Sequence, residues 1–144
     1  MDDRPLVVGV DGSEESRRAL QWAVTHGRAV GAPVEAVMAW QVPVAYGVPA
    51  VYQGSDFEHH ARAELEKTLA AVVGDTATVT PRLVNRHPAE ALVDASRGAQ
   101  LLVVGSRGRG AFLGMVLGSV SRHCVGHAHC PVLVMREPER EPGR

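Results

Sequence analysis

Residues 101–119 read LLVVGSRGRGAFLGMVLGS, and this stretch is the strongest indication of the fold. Its first four residues form an apolar run typical of a buried strand, and a helical pattern, Val120 to His127, follows it. The Gly- and Arg-rich segment between them exceeds the roughly 2–6 residues of most strand-to-helix connections. Because long loops inside a domain are usually functional or disordered, the stretch predicts an α/β unit with a functional loop.

The composition of this loop predicts phosphate binding. Gly105, Gly108 and Gly118 let the backbone approach a ligand closely, because they have no Cβ. Gly118 and Ser119 open the following helix, where unpaired N–H groups and the positive end of the helix dipole favour an anion. Two arginines within the loop add positive charge.

The spacing of the glycines separates the loop from two common phosphate-binding motifs. It is G-x-x-G, nine residues, then G-S. A Walker A loop requires G-x-x-x-x-G-K-[ST], and the only lysine of the chain, Lys67, lies far from any glycine-rich turn. The dinucleotide fingerprint G-x-G-x-x-G does not fit either, because Leu113 stands where the third glycine should be.

Length and composition indicate one ordinary globular domain. The chain has 144 residues, of which 22% are charged and 45% hydrophobic, and its net charge of −1 implies no general affinity for nucleic acid or anionic membranes. The short acidic start, Met1 to Pro5, does not resemble a signal peptide, and no apolar run approaches the roughly 18 residues of a membrane span. Cys124 and Cys130 do not make a disulfide framework. We therefore expect a cytoplasmic protein.

Strands alternate with helices along the chain. The predicted strands are Pro5–Val10, Val34–Trp40, Thr76–Val84, Leu101–Val104 and Val132–Met135. The predicted helices are Glu14–Val30, Asp56–Val73, one that starts near Pro88, and Val120–His127. The inward face of the first helix is predicted to contain Ser16, Ala19, Leu20, Ala23, Gly27 and Val30. This alternation predicts an α/β fold with a doubly wound parallel sheet and helices on both faces, over residues 1–136. The polar, Pro-rich residues 137–144 are expected to be a disordered tail.

The 105–119 loop resembles the nucleotide-binding motif of the universal stress protein family, G-x-x-G, nine residues, G-[ST], with every defined position filled. Residues 7–13 (VVGVDGS), 87–92 (HPAEAL) and 130–134 (CPVLV) are similar to further family segments, in the family's order. The resemblance implies a Rossmann-like five-stranded sheet in the order 3-2-1-4-5. In that order the loops after strands one and four face each other where open α/β sheets bind ligands.

The resemblance also implies a function: an ATP-binding stress-response regulator that acts as a nucleotide-dependent switch, with Mg²⁺ beside the phosphates. The implied phosphate-side residues are Gly105, Ser106, Arg107, Gly108, Arg109, Gly110, Gly118, Ser119, Val120 and Ser121. The implied ribose- and adenine-side residues are Gly9, Val10, Asp11 and Ala39. The family pairs its last strand with a two-fold mate, which implies a homodimer through Val132–Met135, and the protein partner is unknown.

Asp11 has two interpretations. Its carboxylate can close a turn or cap the helix that begins at Glu14. Alternatively, it contacts a ribose hydroxyl or a phosphate-bound Mg²⁺, which is the role that the resemblance favours.

Other classes of function stay open at this point. A slow ATPase or kinase-like enzyme is the main alternative, and a dimeric interaction module with a vestigial site is another. Against an enzyme, only Asp11 near the loops is an evident general base, and Glu14 and Glu15 are expected to offset the dipole of their helix. The apolar segment 41–54 is a lid, a partner-binding surface or a loop packed on its own protein. His123 and His127 have a metal-compatible spacing, but packing is the expected role because no C-x-x-C accompanies them.

Overall fold

The computed structural model describes residues 2–42, 54–74, 78–107 and 117–137. The strands are β1 (Leu6–Gly9), β2 (Val34–Trp40), β3 (Val79–Asn85), β4 (Leu101–Gly105) and β5 (Val132–Met135). The helices are α1 (Glu14–Val30), α2 (Gly54–Val72), α3 (Pro88–Ala95) and α4 (Ser119–His127). All neighbouring strands pair in parallel, in the order β3-β2-β1-β4-β5. The predicted fold class and strand order are confirmed.

The sheet is covered on both faces, and β1 shows how the sequence achieves this. Leu6 and Val8 belong to one buried cluster and Val7 to a second, because successive side chains of a strand point to opposite faces. The first cluster includes apolar residues of α1 and α2, such as Leu20 and Leu65. The second includes residues of α3 and α4. Helices α1 and α2 therefore lie on one face of the sheet, and helices α3 and α4 lie on the other.

The observed bounds agree closely with the predicted ones. Helix α1 and strands β2 and β5 have the predicted limits, whereas α2 begins two residues before the predicted Asp56. Strand β3 begins at Val79, and residues 76 and 77 of the predicted strand lie outside the described residues, as do residues 138–144 of the predicted tail. Within the described part of the chain, no helix is long and apolar enough to cross a membrane.

The predicted inward face of α1 needs two corrections. Val30 is 42% exposed, because the chain turns at Gly31 and the Ala32 N–H donates to the Gly27 carbonyl at 2.9 Å, one turn earlier. Glu15 is also buried, although it was not predicted on the inward face. Its position is four residues before Ala19, so it lies on the same helix face as the buried alanines.

Gly27 lets the end of α1 approach the start of β2. A Cβ at this position would lie 2.9 Å from the Ala32 carbonyl oxygen and 3.0 Å from Val34 Cγ2. By contrast, a Cβ at Gly126, which also lies in a helix, would meet nothing within 4 Å. Both glycines are helical, but the space beside Gly27 is filled and the space beside Gly126 is open.

Substitution of these two glycines by alanine is expected to have opposite effects. Gly27→Ala should lower the free energy of unfolding by about 1–3 kcal/mol, because a backbone carbonyl has no room to yield. Gly126→Ala should raise it by up to about 1 kcal/mol, since alanine is the better helix former. Urea unfolding of both variants checks this, and stabilisation by Gly27→Ala would contradict the packing described.

Candidate functional site

The turn after β1 is organised by hydrogen bonds of two side chains. The Ser13 N–H donates to Asp11 Oδ1 at 2.9 Å, and the Ser16 N–H donates to Ser13 Oγ at 3.2 Å. Ser13 is thus the N-cap of α1, and Asp11 closes the turn that leads into it. Asp11 is exposed at the carboxyl end of the strand. Asp11 therefore closes the turn, as one of its two interpretations predicted. Its carboxylate is nevertheless at the surface, as a contact with a ligand requires.

Ser106 joins both ends of the long loop after β4. Its N–H donates to the Met135 carbonyl at 2.8 Å, which continues the pairing of β4 with β5. Its carbonyl accepts the Gly118 N–H at 2.6 Å and the Ser121 hydroxyl at 2.9 Å. The start of α4 is consequently fixed beside the end of β4. Residues 108–116, which include the predicted site residues Gly108, Arg109 and Gly110, lie outside the described residues.

The first turn of α4 is the predicted anion site. Gly118 is the N-cap and provides no side chain to accept the first N–H groups of the helix. Since α-helix geometry leaves those N–H groups without intrahelical partners, they are suited to an anion. Ser119 is exposed beside them, whereas Ser121 is buried and Val120 packs against the second core cluster. Of these predicted residues, Ser119 has the hydroxyl that a ligand can reach.

Glu15 makes contacts with the loop after β4 that the sequence did not predict. It is 7% exposed, and its Oε2 accepts the Ser106 hydroxyl at 2.8 Å and the Arg107 N–H at 2.6 Å. Its Oε1 lies 3.4 Å from Arg107 Nε, and Arg107 Nη2 also pairs with Glu137 at 2.5 Å. Glu15 therefore binds the loop after β4 rather than only offsetting the dipole of α1. The helical spacing to Ala19 was the available signal.

Two predicted site glycines have packing roles in the structure. A Cβ at Gly105 would lie 3.0 Å from Glu15 Cβ, so the start of α1 fills the space beside this residue. A Cβ at Gly9 would lie 2.7 Å from Leu92 Cδ1, so α3 fills the corresponding space there. The close approach that these glycines permit is, in both cases, the approach of a helix.

The end of β2 lies beside the end of β1. The Val10 N–H donates to the Val37 carbonyl at 2.9 Å, and Ala39 is half-buried two residues further along the same strand. Trp40 is half-buried and packs against the first core cluster. Val10, Asp11 and Ala39 are therefore at the same edge of the sheet as Ser106. The lid interpretation of segment 41–54 stays untested, because residues 43–53 lie outside the described residues.

The histidine pair of α4 stacks. The rings of His123 and His127 have centroids 4.2 Å apart and an interplanar angle of 13°, and His127 Nδ1 lies 3.0 Å from the His123 carbonyl oxygen. Cys124 between them is buried in the second cluster, and burial raises the pKa of its thiol to about 11. The two histidines therefore stack on each other, and Cys124 packs in the core. No group of three or more potential metal ligands from His, Cys, Asp and Glu occurs in the described ranges.

The doubly wound sheet, with loops meeting at the junction of β1 and β4, defines a Rossmann-like α/β protein. The model of the universal stress protein family matches residues 4–136, and the chain belongs to this family. A curated universal stress protein of Mycolicibacterium smegmatis is 35% identical over 139 residues, which are 90% of this chain and 47% of that relative. The chain thus spans about half the length of the curated relatives it matches.

Two solved structures are similar to nearly the whole of this chain. A universal stress protein in complex with cAMP has a TM-score of 0.71 and 24% identity, with 93% of this chain and 97% of that chain covered. The universal stress protein from Archaeoglobus fulgidus in complex with dAMP has a TM-score of 0.68 and 25% identity, with 94% and 99% covered. Both of these proteins bind adenine nucleotides.

Two serines of α4 are expected to separate structure from ligand binding. Ser121→Ala should lower the free energy of unfolding by about 1 kcal/mol, because the Ser106 carbonyl loses a buried donor. Ser119→Ala should change it by less than about 0.5 kcal/mol, since this side chain is exposed. Urea unfolding of the two variants is the measurement. An equal loss in both would show that Ser119 is also part of the scaffold.

Proposed function

We propose that this chain binds ATP between the β1 and β4 loops and acts as a nucleotide-dependent regulatory switch. The observation that carries the proposal is the fixed position of the α4 N-terminus. Bonds from Gly118 and Ser121 to the Ser106 carbonyl hold the first turn of α4 beside the end of β4, with Ser119 exposed. The adenine nucleotides in the cAMP and dAMP complexes of its structural relatives support this ligand class.

The phosphate groups are proposed to bind at the start of α4. The N–H groups of the first turn and the Ser119 hydroxyl are donors there, and the positive end of the helix dipole favours the anion. About four hydrogen bonds to a charged group, at about 1.5–3 kcal/mol each, give about 6–12 kcal/mol before the costs of binding. From the upper end of this range, the loss of ligand freedom and desolvation leave about 8 kcal/mol, a dissociation constant near micromolar.

The ribose and adenine are proposed to lie along the ends of β1 and β2, against Gly9, Val10, Asp11 and Ala39. Asp11 suits a hydroxyl of the ribose or a Mg²⁺ that the phosphates bring with them. Mg²⁺ usually takes one or two carboxylates and completes its shell with phosphate oxygens and water, so one exposed carboxylate fits this use. The Mg²⁺ contact and the cytoplasmic location stay predictions.

A binding role is proposed rather than an enzymatic one. The Glu15 carboxylate reaches the loop after β4, but both of its oxygens are engaged by Ser106 and Arg107. A carboxylate held in this way is poorly placed to orient a water molecule for attack on a phosphate. Bound ATP then acts by ordering the loops around it for a partner to recognise.

Replacement of Gly118 tests the site. Gly118→Val should weaken ATP binding at least about tenfold, or about 1.4 kcal/mol, because a branched side chain at the N-cap blocks approach of the phosphates. Gly126→Val is the matched control in the same helix, where added atoms meet open space. Isothermal titration calorimetry with ATP and Mg²⁺ measures both variants. Unchanged affinity in Gly118→Val would exclude this helix start as the phosphate site.

Homodimerisation through β5 is the second part of the proposal. Strand β5 is an edge of the sheet, and an apolar edge is prone to pair with another chain. The carbonyls of Pro131 and Met135 accept from β4, so the intervening alternation turns the Val134 N–H toward the open edge.

A proline at Val134 should therefore prevent dimerisation without removing a bond between β4 and β5. Sedimentation analysis at micromolar concentration is expected to show a dimer for the wild type and a monomer for Val134→Pro. The Ser119→Ala variant is a suitable control, because its side chain lies outside β5. A monomeric wild-type protein would contradict the proposed interface.

A further inference from the structure

The buried carboxylate of Glu15 accepts hydrogen bonds from Ser106 and Arg107, two residues that the family resemblance places on the phosphate side of the site. The Arg107 N–H was predicted as part of the phosphate cradle, and in the structure it donates to Glu15 Oε2 at 2.6 Å. The Ser106 hydroxyl donates to the same oxygen at 2.8 Å. A carboxylate oxygen and a phosphate oxygen are chemically similar acceptors of N–H and O–H donors. Glu15 thus takes the place of an anion at the end of β4.

The charge of Arg107 is also engaged within the protein. Its guanidinium lies between Glu15, with Nε 3.4 Å from Oε1, and Glu137, with Nη2 2.5 Å from Oε2. The side chain of Glu15 is 9% exposed and that of Glu137 is 58% exposed, so the pair with Glu15 is the better shielded from solvent. One arginine between two carboxylates has a net charge of −1. This group of residues repels a polyphosphate more strongly than a monophosphate.

The close packing of the backbone holds Glu15 in this position. A Cβ on Gly105 would lie 3.0 Å from Glu15 Cβ and 3.3 Å from its carbonyl carbon, so the two chain segments are in direct contact. The Ser13 cap fixes the first turn of α1 from the other side. Glu14, the preceding residue, is exposed. Among the described residues of the β4 loop, Ser106 and Arg107 bind Glu15 of these two adjacent glutamates.

We propose that the Glu15 carboxylate is an internal competitor of the nucleotide's phosphate groups, and that it determines how strongly the site discriminates between nucleotides with different phosphate chains. The inference rests on the proposed nucleotide-binding function and specifies how that site is regulated. A phosphate group that reaches Ser106 and Arg107 displaces Glu15 or is repelled by it. The cost rises with ligand charge, so it is largest for ATP, smaller for AMP and absent for adenosine.

The test compares the affinities of ATP, AMP and adenosine for the wild type, Glu15→Gln and Glu14→Gln by isothermal titration calorimetry. Glutamine keeps the size of Glu15 and removes its charge. Glu15→Gln should bind ATP about tenfold more tightly, AMP with a smaller gain, and adenosine unchanged. Glu14→Gln removes the same charge from the same helix turn at an exposed position, so it should change ATP affinity less than about twofold. A merely structural role for Glu15 would instead lower the affinity for all three ligands.

A second variant, Glu137→Gln, decides the matter if Glu15→Gln does not fold. Glu137 is exposed, and its loss removes one of the two carboxylates that pair with the Arg107 guanidinium, so ATP affinity should rise by a smaller factor in this variant. Equal or weaker ATP binding by Glu15→Gln, or by Glu137→Gln where the first variant does not fold, overturns the inference and leaves the proposed function in place. Undetectable ATP binding by every variant and by the wild type overturns both.

Discussion

The contact between the start of α1 and the end of β4 is the constraint on which the site depends. Parallel pairing of β1 with β4 brings their carboxyl ends together, at the point where the winding of the sheet reverses. Gly105 then permits backbone contact with Glu15, and the Glu15 carboxylate fixes Ser106 and Arg107. The Ser106 carbonyl in turn fixes the start of α4. A chain of short polar contacts thus connects two helix N-termini through one strand end.

This arrangement separates scaffold from ligand-binding groups more sharply than the glycine pattern indicates. The motif glycines Gly9 and Gly105 accommodate helices, and Ser121 supports the Ser106 carbonyl. Among the described residues, Ser119 and the first N–H groups of α4 are the ones proposed to bind an anion, and Asp11 is exposed on the opposite loop. Some residues of the universal stress protein motif therefore hold the helices and strands around the proposed site in place, and others are the ones proposed to contact the ligand.

The sequence predicted the fold well because its signals were periodic and local. Apolar runs predicted the strands, and Pro88 predicted the start of α3. The strand order came from family resemblance, since pattern alone contains no information on non-local pairing. The burial of Glu15 was not predicted, because it depends on a contact with Arg107, 92 residues away in the sequence. Val30 was wrongly predicted to face inward. The chain turns at Gly31, and it is Ala32 that contacts the last turn of α1, at the Gly27 carbonyl.

The most direct test of the account is a crystal structure of the protein with ATP and Mg²⁺. The account predicts phosphate oxygens within hydrogen-bond distance, about 2.7–3.2 Å, of the Ser119 hydroxyl and the first N–H groups of α4. It also predicts the base and ribose along the ends of β1 and β2, beside Asp11 and Ala39. A nucleotide bound elsewhere on the molecule, or phosphates that do not contact the start of α4, would contradict it.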